Sequence, residues 1–156
     1  MIISSEDAER DAVLSAANLM VTAARTAPKA GGRDSITTAI LIGDDKEKLA
    51  DELEKMGKER GLKFFIRDAQ NVRDADALVL IGVKIEDERR QTIKLIDLGI
   101  AIGSAVKTAS MLNIDNRIMA SAGRAAEKRG IIEGKIQGIP LSVKGKNIFF
   151  DRKPIE

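Results

Sequence analysis

Cysteine and histidine are both absent from the 156 residues, tryptophan and tyrosine are missing as well, and only three prolines occur. Each absence removes a class of chemistry. Without a thiol there can be no disulfide, thiolate metal site or cysteine nucleophile, and without imidazole the chain lacks the commonest metal ligand and the side chain that titrates nearest neutrality. Metal catalysis and most hydrolytic mechanisms are therefore not expected. The aromatic content is 3%, confined to Phe64, Phe65, Phe149 and Phe150, which argues against a base-stacking platform and hence against a nucleic-acid partner. No apolar run approaches the roughly 20 residues that span a bilayer, and the N-terminal region is acidic where a secretory signal would be basic and then apolar. The expectation is a cytoplasmic protein without a membrane partner.

What the chain does contain is charge and aliphatic bulk. Charged residues make up 32% and hydrophobic ones 44%, and the length suits one domain over 1–156 that buries roughly two-thirds of its unfolded surface. Many Lys and Glu beside few Asn and Gln is a balance met in thermophilic proteins. The net charge of +2 conceals a split: residues 1–83 carry 12 basic and 15 acidic side chains, residues 84–156 carry 14 and 9. The basic half reads mainly as solvated surface, with attraction of an anionic small molecule as the sharper alternative.

Periodicity divides the chain into alternating helices and strands. Ser5 to Thr26 reads as a helix capped by Ser4, with acids in its first turn and Ala12, Val13, Ala16, Leu19, Met20 and Ala23 at helical spacing. Ile36 to Ile42 reads as a strand. Asp44-Asp45-Lys46-Glu47 suggests a capping box opening a helix that turns Leu49, Ala50, Leu53 and Met56 inward and stops near Gly61. Phe64 to Ile66 reads as a second strand, followed by a short helical piece from Ala69 to Asp74. The unbroken apolar run Ala77–Val83 predicts a central strand covered on both faces. A charged segment from 84 to 94 precedes a helix from Ile96 or Asp97 to Leu112, in which Gly99 and Gly103 point to close approach of another backbone. Asn116 to Ser121 reads as a strand and Gly123 to Arg129 as a helix. Ile136 to Val143 is a last strand in which Pro140 suggests an edge or a bulge. The result is a layered α/β or α+β architecture.

The segment Ala23–Arg33 is the most distinctive. An alanine-rich helix ends at Pro28, and Gly31 and Gly32 permit positive φ, so successive backbone N–H groups can turn toward an oxyanion amid Arg25, Lys29 and Arg33. No Walker spacing surrounds Gly145-Lys146-Asn147, and Gly99 through Gly103 lacks the paired glycines of a dinucleotide fingerprint. The acids Glu86, Asp87 and Glu88 read as solvated surface beside Arg89 and Arg90.

Five segments in order, Ala23–Gly32, Leu78–Val83, Ile96–Ala105, Asp115–Met119 and Gly138–Ser142, resemble a prokaryotic family of ferredoxin-domain-containing proteins of unknown function, itself similar to FMN-dependent nitroreductases. The resemblance covers nearly the whole chain. It implies an α+β, nitroreductase-like fold with a central, mostly antiparallel sheet flanked by helices, and a homodimer joined through the helix holding Gly99 and Gly103. It also implies FMN, with the ring against Pro28, Lys29 and Ala30, facing Ser121, Ala122 and Gly123, and with Arg25, Lys146 and Arg152 as cations for the phosphate. The bland reading makes Arg25 a helix-end cation and Lys146 and Arg152 solvated charges. Two departures stand out. The cysteine-rich insertion expected between the central strand and the Asp97 helix is replaced by residues 85–94, so no iron–sulfur cluster is expected, and the N-terminal arginine segment of nitroreductases is missing. Phe149 and Phe150 point to opposite sides of an extended segment, which leaves one in water unless a terminal strand is lent to a partner. The sequence thus leaves two functions open: a flavin-dependent oxidoreductase module, or a catalytically silent dimeric scaffold.

Overall fold

A computed structural model describes residues 1–151 of the chain. Helix α1 (Ser5–Thr26) opens at Ser4, whose hydroxyl accepts the Asp7 N–H at 3.1 Å. Its buried arc is Val13, Ala16, Ala17, Met20 and Ala24. Ala12 and Leu19, expected on that arc, are exposed, Leu19 to 50%. They lie about a quarter-turn off this narrow, alanine-rich stripe.

Strand β1 (Ile36–Leu41) leads into helix α2 (Gly43–Arg60). The expected capping box does not form: Ile42 is the N-cap, no side chain caps the helix, and Asp44 and Asp45 sit in its first turn. Lys46 is instead buried, donating to the carbonyls of Val72 and Arg73. Gly61 ends α2 in the left-handed region, and helix α3 (Lys63–Asp74) starts two residues later. Phe64 to Ile66, expected as a strand, is the first turn of α3. Three residues of high strand propensity are outweighed by the helical spacing of Phe65, Ala69 and Val72, all buried against α2.

Strand β2 (Ala77–Val83) is buried at every position. After a turn with a short 3₁₀ segment at Glu88–Arg90, helix α4 (Gln91–Met111) begins earlier than its apolar stretch suggests. The strand expected over 116–121 shrinks to β3 (Asp115–Asn116) and one bridge between Met119 and Gly138, because helix α5 (Ala120–Arg129) starts there. Strand β4 (Lys135–Ser142) completes a four-stranded antiparallel sheet in the order β1-β2-β4-β3.

β2 alternates between two cores. Val79, Ile81 and Val83 face α1 and α4; Leu78 and Leu80 face α2, α3 and α5. This gives an α+β arrangement of a mostly antiparallel sheet between two helical layers, as the resemblance implies. β4 lies inside the sheet, so Pro140 is not on an edge strand. Gly138 exchanges hydrogen bonds with Met119 on the β3 side, and alternation points the missing Pro140 donor to that same flank, between the Met119 bridge and the Asp115–Asn116 pairing, where little is lost. At the other edge, Lys84 N–H donates to Ser35 O, so the even-numbered backbone groups of β1 face outward.

Helix α5 lies close on β4. A Cβ on Gly123 would stand 1.9 Å from the Ile136 carbonyl oxygen, and one on Gly138 2.6 Å from the Ala122 Cβ. Of the two terminal phenylalanines, Phe149 is buried in the α2/α3/α5 core and Phe150 is 61% exposed, with the Arg117 guanidinium 5.5 Å from its ring centre.

Candidate functional site

The turn after α1 has the backbone its glycines predict: φ is +63° at both Gly31 and Gly32. Three of its donors, however, are used within the chain. Ala30 N–H donates to Asp97 Oδ1 at 2.9 Å, Gly32 N–H to Lys29 O and Arg33 N–H to Ala30 O. The oxyanion in this cradle is the protein's own Asp97 carboxylate, reaching over from α4.

The cations around the turn are mostly engaged too. Arg25 donates to Asp34 Oδ2 at 2.6 Å and to the Ile36 carbonyl at 2.8 Å. The Lys29 ammonium folds back on the end of α1, donating to the carbonyls of Ala27 at 2.8 Å and of Arg25, a use the helix dipole favours. Burial works to raise the Asp34 carboxyl, but hydrogen bonds from Ile36 N–H and Arg25, with the charges of Arg25 and Lys29, outweigh it and hold the group below the usual carboxylate range. Pro28 is exposed on the outside of the turn.

Beneath the turn, Lys94 and Asp97 form a buried pair on one face of α4, 7% and 3% exposed, with 3.9 Å between Nζ and Oδ2. Lys94 donates to Arg33 O at 3.1 Å and to Ser35 Oγ at 2.8 Å. Together the two side chains tie the turn and the start of β1 to α4. Opposite Charges three apart inside an otherwise apolar helical run, Ile93 to Ile102, are the sequence signal that marks them.

Between the turn, the end of β2 and the start of α4 lies an open cavity of about 530 Å³. Arg33, Lys84, Arg90 and Lys94 supply its cations; Asp34, Glu86 and Asp87 supply its carboxylates. The volume is that of an ordinary small-molecule site. It stands where the sequence lacks the expected cysteine-rich segment, and no group of side chains suited to a metal ion occurs among the described residues.

The remaining expected site residues lie elsewhere. Ser121 and Gly123 belong to α5, buried on the opposite side of the sheet from the turn, and Ser121 Oγ donates to Asp68 Oδ2 at 2.6 Å. The structure therefore does not bring them to Pro28, Lys29 and Ala30 within one chain. They sit in a helix, not in the facing loop that the resemblance implies. Lys146 is exposed on the turn after β4, and Arg152 lies outside the described residues.

Along its whole length the chain matches an uncharacterized protein of Archaeoglobus fulgidus, 39% identical, with 99% of each chain covered. The alignment runs over 183 positions, more than the 156 residues here, so the relative carries internal segments that this chain lacks. Residues 90–152 match the family described as uncharacterized protein containing a ferredoxin domain. The chain belongs to this family. Its ferredoxin-domain family label is met here without one cysteine. Among solved structures, the chain is similar to the FMN-dependent nitroreductase NfnB of Mycobacterium smegmatis in complex with NADPH, with a TM-score of 0.65, 12% identity, and 92% of this chain and 84% of that one covered. It is also similar to a nitroreductase with bound FMN from Desulfitobacterium hafniense, with a TM-score of 0.61, 17% identity, and 94% and 81% covered. At such identities the likeness shows the fold, and the fold of this ferredoxin-domain family member is nitroreductase-like. No helix among the described residues is long and apolar enough to cross a membrane.

Proposed function

We propose that this chain is an FMN-type redox module that has dispensed with the iron–sulfur segment of its family. The observation that carries the reading is the open cavity at the start of α4, on a fold whose solved neighbours include proteins holding FMN. When bound, FMN would supply the electron chemistry itself, so the absence of His and Cys is no obstacle. The residues fit such a group. Ile36 and the stems of Arg33, Lys84 and Arg90 line the cavity and offer it apolar surface, while the guanidinium and ammonium groups there suit an anionic tail. Arg25, Lys29 and the Ala30 N–H, being engaged by Asp34, the α1 carbonyls and Asp97, position the turn and do not contact the ligand.

That internal engagement favours a second reading, the catalytically silent scaffold. Flavin titration separates the two. With neither Trp nor Tyr in the chain, near-ultraviolet and visible absorbance of the purified protein reports bound flavin almost alone. The expected result is saturable quenching of FMN fluorescence; colourless protein that leaves FMN fluorescence unchanged favours the scaffold.

The same helix supports a homodimer. Ile93, Ile96 and Ile100 are 43%, 57% and 42% exposed at helical spacing, and nothing lies within 4 Å of a Cβ built on Gly99 or Gly103. Among the described residues the glycines therefore serve no close contact; a two-fold copy laid on the stripe would use them. Gly103 is exposed and a Cβ there meets nothing within 4 Å among the described residues, so the effect of Gly103→Leu is read chiefly at the seam. We expect it to move the protein to the monomer position on a sizing column, and an unchanged elution volume rejects α4 as the seam.

A further inference from the structure

We infer that the cavity at the start of α4 is an oxyanion site, in which the guanidinium groups of Arg33 and Arg90 receive the phosphate or carboxylate of a small-molecule ligand. The argument is a charge balance. Asp34 is held by Arg25 at 2.6 Å, Asp87 by Arg89 at 3.0 Å, Lys84 by Glu133 at 2.5 Å, and Lys94 faces Asp97. Arg90 adds its charge to Arg89 beside Asp87, but neither Arg33 nor Arg90 forms an ion pair within 4 Å or a side-chain hydrogen bond among the described residues, and both line the cavity.

Arg90 is the telling member. Its Nε is closed in by protein atoms, and the half-buried side chain lines the cavity. A guanidinium that no carboxylate bridges keeps its terminal N–H groups for a ligand, and an oxygen of a bound anion would take a charge-assisted bond from them. The surroundings agree. Arg90 is the N-cap of α4, a 21-residue helix with no side-chain cap and no acid in its first turn, so the positive end of the helix opens next to the same guanidinium. Arg33 is placed opposite by the turn that Asp97 and Lys94 hold. The inference stands apart from the flavin reading: under that reading the anion is either the flavin phosphate or an anionic substrate.

The test uses the full chain and three probes: inorganic phosphate, FMN and riboflavin, the last identical to FMN but for the phosphate. Phosphate titrated calorimetrically should bind saturably at constant ionic strength. Arg90→Gln and Arg33→Gln should each weaken it about tenfold, Arg90→Lys should weaken it less, and Arg124→Gln, on exposed surface of α5, should leave it unchanged. Absence of saturable phosphate binding, or equal losses in Arg124→Gln, overturns the site. Circular dichroism of each variant guards against a fold defect, and the second arginine gives an independent reading. The flavin arms are separable. Phosphate binding without either flavin supports the oxyanion site and sinks the flavin reading. Flavin binding in which Arg90→Gln and Arg33→Gln affect FMN and riboflavin equally, with no phosphate binding, does the reverse.

Discussion

Gly123→Ala is expected to be among the most damaging single-methyl changes in the molecule, costing about 3 kcal/mol or more, or preventing folding. In an exposed helix this substitution would gain up to about 1 kcal/mol in propensity. Here the new Cβ would lie 1.9 Å from the Ile136 carbonyl oxygen, 2.6 Å from its carbon and 3.0 Å from the Gln137 Cα. All three are backbone atoms of an interior strand and have no rotamer into which to retreat. α5 would have to lift off β4, opening the contacts of Ala122, Ala125 and Ala126 with the core that also holds Leu78, Leu80 and Phe149. Urea unfolding followed by far-ultraviolet circular dichroism measures the loss. A midpoint within experimental error of the parent would mean that α5 and β4 do not approach this closely.

Asp97→Ala should cost about 3–5 kcal/mol, because it leaves a buried ammonium without its counter-charge. Lys94 would keep its bonds to Arg33 O and Ser35 Oγ, but Ala30 N–H would lose its acceptor. The turn carrying Gly31 and Gly32 would then be tethered from one side only. Unlike Gly123→Ala, this loss is partly recoverable. The double variant Lys94→Met, Asp97→Ala removes the unpaired charge and should be more stable than Asp97→Ala alone, since replacing both members of a buried pair by apolar groups is often close to neutral. If the double variant is instead less stable by the sum of the two single effects, the residues act independently and the pair is not what holds the turn. Protection of the Ala30 amide against hydrogen exchange gives a local readout: it should fall in Asp97→Ala even where the fold survives.

How far the sequence announces this structure differs from element to element. Both ends of α1 are legible, because Ser4 and Pro28 are local signals for a start and a stop. The central place of β2 is legible because seven consecutive apolar residues need cover on both faces. The first turn of α3 is not, since Phe64-Phe65-Ile66 has local strand character and only packing on α2 overrules it. Leu19 is misassigned because the buried stripe of α1 is set by packing on α4, which periodicity within one helix cannot reveal. At the candidate site the glycine backbone of the turn is foreseeable from composition. Its filling by Asp97 is not, since that bond joins residues 67 apart in sequence. Arg33, Arg90 and Lys94 likewise form no motif, and only the fold gathers them.

The outer edge of β1 has a consequence for solubility. Ile36 is sealed on that side, its N–H donating to Asp34 and its carbonyl accepting from Arg25, which leaves the outward groups of Thr38 and Ile40 as the open rung of the ladder. Two residues are too short a template for strand-by-strand growth, and the Arg25–Asp34 clasp acts as a gatekeeper against stacking of one molecule on the next.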